Sequence, residues 1–338
     1  MKAVALTHYL PVELPESLFD TELPKPVAQG RDLLVAVQAV SVNPLDNRVR
    51  RPKDKVEPAP RVLGWDAAGI VEAVGPDVTQ FKAGDAVYYA GDLNRPGSNA
   101  QYQLVDERLV GRKPLSMDFE HAAALPLAGL TAWEALFDRM RIPSDGSAAG
   151  KTMLILGAAG GVGTLAVQLA AKVAKLNVIG SASRDASKQW VRQMGAQHVI
   201  DHRADIALQL KELGHPEVDY VLVLADTAGY FPVAAEVVAP QGTIGLAVEL
   251  TQPVDLGLLW GKSVTLAWEM VFTRIEYQTH DLAAHHAILN RMADLADAGV
   301  LVSPVTDVVA PINGANLRSA HARLAEGRQI GKIALKGF

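Results

Sequence analysis

The segment "LILGAAGGVGTLAVQLAAKVAKL", from Leu154 to Leu176, decides how the middle of this chain folds. Residues 153–171 carry no charged side chain, a length that suggests a membrane span. Its glycines argue against a span, because each glycine inside a helix costs about 0.8–1 kcal/mol relative to alanine. The segment divides at the glycines into a buried strand, 152–156, and a helix, 164–175.

Strand, glycine turn and helix form the first half of a dinucleotide-binding unit. The glycines make the turn tight and let the backbone approach a pyrophosphate, and the helix N-terminus offers it free N–H groups. The pattern here is A-x-G-x-x-G from Ala158 to Gly163, with an additional Gly157. We predict that the cofactor contacts Ala159, Gly160, Gly161, Val162 and Gly163.

Strands continue to alternate with helices beyond this turn. The pattern predicts a helix over 188–194, ended by Gly195, and strands over 177–182, 199–200, 218–225 and 242–248. Such alternation is typical of a parallel sheet with helices on both faces.

Composition excludes several classes of protein. The length of 338 residues suggests about two domains. A net charge of −5 without a basic field argues against nucleic acid and membrane as partners. The absence of cysteine excludes disulfides and cysteine-ligated metals. No secretory signal is recognisable at the N-terminus, so we expect a cytoplasmic enzyme.

The N-terminal region follows a different pattern. Short predicted strands at 32–39, 67–74 and 85–89 are separated by Pro- and Gly-rich turns, which is typical of an antiparallel, barrel-like domain. A strand at 304–309, a helix near 315–326 and "GKIALK" are predicted to return to it. We therefore predict that residues 1–126 begin a catalytic domain, that residues 127–272 form an inserted Rossmann domain, and that residues 273–338 complete the catalytic domain.

Several motifs occur in an order that resembles one enzyme superfamily. They are "SVNPLDNRVR" (41–50), "RVLGWDAAGIVEAVG" (61–75), "PGSNAQYQLVDERLVGRKP" (96–114), "AAALPLAGLTAWEAL" (122–136), "GAAGGVG" (157–163) and "WEMVFTR" (268–274). Together they resemble the medium-chain dehydrogenases/reductases, in particular the zinc-free quinone oxidoreductase branch. The resemblance implies an α/β fold, with a Rossmann doubly wound parallel sheet inserted in a barrel-like, GroES-like, mostly-β catalytic domain.

Departures from the zinc-dependent relatives predict that no metal is bound. Those relatives place a cysteine where Asn43 stands and a His-Glu pair where Trp65 and Asp66 stand. A catalytic zinc needs three N, S or O ligands from the protein, and these positions offer one plausible ligand. The histidines of "HVIDH" (198–202) and the pair at 285–286 have no third partner at a recognised spacing, so we assign them to the surface or to turns.

The end of the second Rossmann strand predicts the cofactor. An acidic residue there binds the ribose of NAD, whereas an arginine nearby favours the 2′-phosphate of NADP. Here Ser183 and Arg184 occupy the region, with Lys188 as a weaker candidate, and Asp185 is expected to lie in the first helical turn. We predict NADPH.

The resemblance also implies residues near the nicotinamide. Asn43 and Asp46 are the catalytic candidates, although from the residues alone "SVNPLDN" is predicted to be a loop with an ordinary turn carboxylate. Trp65 and Phe272 are candidates for the substrate pocket, with core packing as the alternative.

Further cofactor contacts are implied at the starts and ends of elements. Thr131 is expected to begin a helix and contact the cofactor, or simply to cap that helix. Lys332 is expected to reach the phosphate on the nicotinamide side, with an ordinary surface lysine as the alternative. The carboxyl end of the fifth strand is expected to contribute Gly245, Leu246, Ala247 and Val248.

These features predict metal-independent hydride transfer from NADPH to a quinone. Reduction of an α,β-unsaturated carbonyl is the nearest alternative, a crystallin-like NADPH-binding protein with little turnover is another, and zinc-dependent alcohol dehydrogenation is a distant one. The apolar segment 263–267 is expected to be the exposed edge strand and to pair with its copy in a homodimer.

Overall fold

The computed structural model describes all 338 residues, and the chain divides into two compact units. The first unit comprises Met1–Leu130 and Phe272–Phe338, and the second comprises Thr131–Val271. The second unit is therefore an insertion in the first; the insertion predicted from the sequence is 127–272.

Sixteen strands build the sheets of the two units. They are β1 (Lys2–Tyr9), β2 (Phe19–Glu22), β3 (Asp32–Ser41), β4 (Lys53–Val62), β5 (Ala67–Val74), β6 (Ala86–Tyr89), β7 (Tyr102–Asp106), β8 (Val110–Arg112), β9 (Thr152–Leu156), β10 (Asn177–Ser181), β11 (His198–Ile200), β12 (Val218–Val223), β13 (Val238–Leu246), β14 (Thr265–Trp268), β15 (Val305–Val309) and β16 (Lys332–Lys336).

Eleven α-helices accompany these strands. They are α1 (Pro44–Arg50), α2 (Phe119–Ala123), α3 (Pro126–Trp133), α4 (Gly161–Gln168), α5 (Asp185–Met194), α6 (Ile206–Glu212), α7 (Thr227–Val237), α8 (Gly257–Trp260), α9 (Thr273–Glu276), α10 (Ala284–Asp297) and α11 (Gly314–Ala325). No helix combines the length and the hydropathy that a membrane crossing requires.

The inserted unit contains a six-stranded sheet in the order β11-β10-β9-β12-β13-β14, and every neighbouring pair is parallel. Numbered within the unit, this order is 3-2-1-4-5-6, that of a doubly wound dinucleotide-binding sheet. All five residues of β9 are buried, as expected of a central strand covered on both faces. The predicted α/β fold class is confirmed.

The other unit contains two largely antiparallel sheets. One has three strands in the order β2-β1-β4; the other runs β15-β16-β3-β5-β6-β8, and β7 also pairs with β3. Its final segment supplies β15, α11 and β16, and β16 pairs antiparallel with β3. The C-terminal segment, which the sequence predicts to return to the N-terminal domain, lies in this unit.

Local structure departs from the sequence-based expectations in several places, and strands β1, β2, β7 and β8 were not predicted. The stretch expected to be the loop "SVNPLDN" contains the start of α1, because Pro44 suits the first helical position and Asn43 caps it. Strand β4 was not predicted, since its prolines and charges obscure the alternation of a strand. The helix expected over 164–175 begins at Gly161 and ends in a π-helical segment, Leu169–Val173.

Candidate functional site

The glycine turn lies between β9 and α4, where the strand order of the parallel sheet reverses. Gly157 has a φ of 89°, a conformation that favours glycine, and its N–H donates to Ser181 Oγ at 3.0 Å. A Cβ on Gly163 would lie 2.3 Å from the Gly157 carbonyl oxygen, so the turn requires glycine there. A Cβ on Gly160 would meet only that same oxygen, at 3.7 Å. Gly160 thus borders open space at the start of α4, which suits a pyrophosphate.

Basic side chains gather at the carboxyl end of β10. Arg184 is exposed and precedes the first residue of α5, and Lys188 lies 3.5 Å from Asp201. Arg203, which was not predicted from the sequence, donates from Nη2 to the Ser183 carbonyl oxygen at 2.7 Å. Its guanidinium also binds Asp201 through two contacts of 3.0 and 2.7 Å. Asp185 is the first residue of α5, as expected.

Arg203 was overlooked because it follows the third strand rather than the second. Strand β11 pairs with β10, so the residues after both strands meet at one edge of the sheet. The guanidinium of Arg203 holds the pKa of Asp201 well below its usual range. Arg203 therefore neutralises the charge of Asp201. This edge of the sheet keeps a net positive charge, which suits an additional phosphate.

The end of β13 lies at the same edge of the parallel sheet. Gly245 and Leu246 are the last residues of β13 and Ala247 and Val248 follow it, so the strand ends two positions before its predicted end at 248. The Ala247 N–H donates to the Val223 carbonyl at 3.2 Å, and the Val248 carbonyl accepts the Thr227 hydroxyl at 2.6 Å. These backbone contacts fix the segment that was predicted to touch the cofactor.

Thr131 does not begin a helix. It lies near the end of α3, which starts at Pro126 because proline suits the first helical turn. Since Thr131 is the sixth of the eight residues of α3, it does not cap the N-terminus of that helix, while its predicted contact with a cofactor stays a prediction.

A buried ionic cluster in the inserted unit was also missed. Arg139 contacts Glu134 at 3.0 Å and Glu269 at 3.1 Å. A π-helical segment, Glu134–Arg139, brings the two residues five positions apart onto one face. Sequence periodicity does not reveal a π-helix, so no pattern could have paired these residues.

The antiparallel unit brings Asn43, Asp66 and Lys332 together. Lys332 Nζ lies 3.0 Å from Asp66 Oδ2 and also donates to Asn43 Oδ1. Asn43 Nδ2 donates to the same Asp66 oxygen at 2.9 Å. All three side chains are buried, with 4% exposure for that of Lys332 and none for that of Asp66. Asp66, absent from our predicted site residues, is the centre of this network.

Asp46 lies in the first turn of α1, beside this network. Its Oδ2 accepts the Asn43 N–H at 2.6 Å, while Oδ1 is buried without a hydrogen-bond partner. Burial raises the pKa of Asp46 to about 7, against the opposing effects of the Asn43 N–H and the Lys332 ammonium. The pKa of the Asp46 carboxyl therefore lies near neutral pH.

Both candidate pocket aromatics are buried. Trp65 and Phe272 are each 1% exposed, and Trp65 Nε1 donates to the Asp92 carbonyl at 3.2 Å. Trp65 therefore has the packing of a core residue whose polar atom is satisfied.

The residues of this network do not fit a zinc ion. No group of three or more His, Cys, Asp or Glu side chains has metal-binding geometry anywhere in the chain. Asp66 is a single carboxylate, already paired with the Lys332 ammonium, and Asn43 offers an amide. Zinc prefers histidine, cysteine and carboxylate ligands in a tetrahedral set.

Comparisons with known proteins agree with this architecture. Residues 29–114 match the alcohol dehydrogenase GroES-like domain, and residues 194–335 match the family described as zinc-binding dehydrogenase. A zinc-type alcohol dehydrogenase-like protein of Staphylococcus epidermidis is 40% identical over 94% of this chain and 93% of its own. The chain belongs to the medium-chain dehydrogenase/reductase superfamily. It is thus an oxidoreductase, with the GroES-like and Rossmann units of that superfamily.

Other relatives of this chain have names that describe different activities. A 2-methylene-furan-3-one reductase of Solanum lycopersicum is 30% identical, over 99% of this chain and 79% of its own. The crystal structure of a putative zinc-dependent alcohol dehydrogenase from Rhizobium etli has a TM-score of 0.95 and 44% identity, covering 100% of this chain and 98% of its own. The Escherichia coli quinone oxidoreductase, solved with NADPH, has a TM-score of 0.81 and 25% identity, covering 99% of this chain and 100% of its own.

Proposed function

We propose that this chain transfers hydride from NADPH to a quinone without a metal ion. The observation that carries the proposal is the Lys332–Asp66–Asn43 network, in which the one carboxylate is already paired with an ammonium and no set of zinc ligands remains. Without a Lewis acid, oxidation of simple alcohols should be poor, because the developing alkoxide has no cation to stabilise it. A quinone spreads the charge it receives over its ring, so hydrogen-bond donors suffice.

Three features support NADPH as the cofactor. The open space at Gly160 suits a pyrophosphate, and Arg184 and Arg203 supply positive charge beyond the carboxyl end of β10. The E. coli quinone oxidoreductase, a structural relative, was solved with NADPH. When bound, the nicotinamide supplies the hydride, and the protein orients it and its acceptor.

The proton in this proposal comes from Asp46 or from solvent. The Asp46 carboxyl is protonated to a substantial extent at neutral pH and has one oxygen without a partner. The Asn43 amide is already engaged by Asp66 and Lys332, so in this arrangement it positions its neighbours. Backbone N–H groups are then the available donors to a reduced oxygen.

Enone reduction is the second candidate. The tomato relative is named as a reductase of 2-methylene-furan-3-one, an α,β-unsaturated ketone. Hydride addition to the β-carbon of an enone gives an enolate, whose oxygen needs the same hydrogen-bond donors and whose α-carbon takes a proton from Asp46 or from solvent.

Steady-state NADPH oxidation with matched substrates tests this proposal. The EDTA-treated protein should oxidise NADPH with a simple quinone or an enone, and should not reduce NADP with ethanol. Ethanol oxidation that disappears with EDTA and returns with zinc would overturn the proposal. Tight NADPH binding without turnover on any acceptor would favour the crystallin-like alternative.

Arg184 and Arg203 should set the preference for NADPH over NADH. Replacing either with alanine should lower the ratio of NADPH to NADH affinity by about 10- to 100-fold, because each loses a charge-assisted contact of about 1.5–3 kcal/mol with the 2′-phosphate. Fluorescence titration of both nucleotides measures the ratio. Arg192→Ala, an exposed change elsewhere on α5, is the matched control. An unchanged ratio in both variants would contradict the assignment.

A homodimer through the edge strand belongs to the proposal. The expected edge segment 263–267 is realised as β14, which is the last strand of the parallel sheet. Trp268 on β14 is 45% exposed and Trp260 on α8 is 87% exposed. Two large exposed aromatic side chains near an unpaired strand edge suit pairing with a second copy.

Light scattering should therefore give twice the 36.0 kDa of one chain. Trp260→Glu should weaken the dimer by at least about tenfold, since a buried charge without a partner opposes association. Tyr277→Glu, at another exposed aromatic residue with 77% exposure, is the control outside the inserted unit. A mass of 36.0 kDa for the unmodified protein would refute the dimer.

A further inference from the structure

Three oxygen atoms converge on the ammonium of Lys332. The Val42 carbonyl lies 3.2 Å from Nζ, Asp66 Oδ2 lies 3.0 Å away, and Asn43 Oδ1 is the third acceptor. A lysine ammonium has three N–H donors, so this oxygen cage of Val42, Asn43 and Asp66 can use all of them. No donor of Lys332 remains for a cofactor phosphate in this arrangement.

The oxygen cage connects three separate segments of the antiparallel unit. Lys332 begins β16, Asn43 caps α1, and Asp66 Oδ1 accepts the Leu127 N–H in the first turn of α3 at 2.8 Å. The Asp66 carboxylate therefore receives the Asn43 amide, the Leu127 N–H and the Lys332 ammonium. Burial raises the pKa of Asp66, and these three partners oppose that rise by favouring the charged form.

The Lys332 ammonium and a metal ion cannot both occupy the oxygen cage. A divalent ion bound to Asp66 and Asn43 would lie next to the positive charge of Lys332, and the two would repel each other. The cage is moreover all oxygen, whereas zinc in proteins takes nitrogen and sulfur as well as carboxylate ligands. Displacing the lysine would leave Nζ buried without acceptors, which is costly for a charge.

We infer that Lys332 is the resident cation of this site, taking the place that a metal ion has in zinc-dependent enzymes. It is a positioning residue: through Asp66 and Asn43 it fixes the first turns of α3 and α1, and hence Asp46. This inference does not depend on which acceptor is reduced. It replaces the expectation that Lys332 contacts a phosphate of the cofactor.

Chemical rescue of Lys332→Ala tests the inference. The substitution removes three methylene groups and the ammonium, which together correspond to n-propylammonium. The variant should lose at least about tenfold in turnover and roughly 5–10 °C in melting temperature, because Asp66 is left buried without its cation. Added n-propylammonium chloride should partly restore both, whereas 1-propanol and sodium chloride should not. The KM for NADPH should stay within about twofold of its original value, since no phosphate contact is lost.

Lys336→Ala is the matched control. Lys336 lies on the same strand, but its side chain is 49% exposed and pairs with Glu120 at the surface. This variant should keep its melting temperature and show no response to n-propylammonium.

Two results would overturn the inference. Rescue by zinc, with about one zinc bound per chain of the Lys332→Ala variant, would show that the cage accepts a metal. A large increase in the KM for NADPH without a change in melting temperature would show a phosphate contact. Neither result depends on whether a quinone is the acceptor. The proposed quinone reaction can therefore be wrong while the inference about Lys332 is right, and the reverse.

A second pair of variants covers the case in which Lys332→Ala does not fold. Lys332→Met alone leaves the Asp66 charge buried and unpaired, whereas Lys332→Met with Asp66→Asn removes both charges. The double variant should melt at a higher temperature than Lys332→Met, as expected when a buried ion pair is replaced by neutral groups. An equal or lower melting temperature for the double variant would refute the role of the ammonium as the counter-charge of Asp66.

Discussion

Gly163→Ala should abolish measurable NADPH binding and lower the melting temperature, whereas Gly160→Ala should keep the fold and weaken NADPH binding. A Cβ at Gly163 would lie 2.3 Å from the Gly157 carbonyl oxygen and 2.7 Å from the Ala158 Cα. Both are backbone atoms, so the turn or α4 must move. Overpacking of this kind costs about 1–3 kcal/mol or more.

Gly160→Ala is an informative comparison with Gly163→Ala, because the methyl group added at position 160 would not clash with the protein. Its nearest neighbour would be the Gly157 carbonyl oxygen at 3.7 Å, an ordinary contact. The methyl group instead enters the space in front of α4 that we assign to the pyrophosphate. We expect an increase of about tenfold or more in the dissociation constant for NADPH, from a loss of about 1.4 kcal/mol.

Thermal unfolding and fluorescence titration of the two variants separate these effects. Gly214→Ala is not a suitable control, because Gly214 has a φ of 82°. Gly261→Ala is suitable, since its φ is −64° and a Cβ there would have no neighbour within 4 Å. If Gly160→Ala bound NADPH as tightly as the unmodified protein, the pyrophosphate would not lie on this turn.

The glycine turn was predictable because each of its determinants is local. A mostly apolar strand, four glycines in seven residues and a largely buried helix are adjacent in the chain, an order typical of a dinucleotide-binding turn. The remaining parallel strands follow the same logic, and each predicted strand of the inserted sheet overlaps an observed one. Errors there are limited to a few residues at element ends, where competing turns and caps decide the boundary.

The candidate site was less predictable because its contacts join distant segments of the chain. Asn43 and Lys332 are 289 positions apart, and Asn43 and Asp66 are 23 apart. The sequence indicated Lys332 as a residue near the site, but its pairing with Asp66 depends on how β16 aligns with β3. Arg203 was missed for the same reason, since it meets Ser183 only because β11 pairs with β10.

The buried side chain of His321 should make the folded protein less stable at acidic pH. His321 on α11 is almost fully buried, and its Nδ1 accepts a hydrogen bond from Arg50 Nε on α1 at 3.3 Å. Burial, together with the Arg50 guanidinium, lowers the pKa of His321 to about 3. Asn47 on α1 also donates to the His321 carbonyl at 2.8 Å, so this histidine helps to pack α11 against the helix that carries Asp46.

The sign of the effect follows from the depressed pKa. His321 is neutral in the folded protein, and in the unfolded chain a histidine has a pKa of about 6.5. Its contribution to stability is therefore fully present above pH 6.5 and is lost as the pH falls from 6.5 toward 3. Over the two pH units from 6.5 to 4.5, the loss from this one group is about 2.3 kcal/mol.

His321→Gln should remove this dependence while keeping an amide oxygen for Arg50. The melting temperature of the unmodified protein should fall by roughly 3–4 °C more than that of the variant between pH 6.5 and 4.5. His280→Gln, at an exposed histidine, should follow the unmodified protein. Thermal unfolding in a pH series measures all three. If the melting temperatures of the unmodified protein and His321→Gln fell in parallel with pH, protonation of another group would cause the acid sensitivity. A histidine held neutral by burial and by Arg50 must take up its proton when the chain unfolds at acidic pH, so the two proteins should differ.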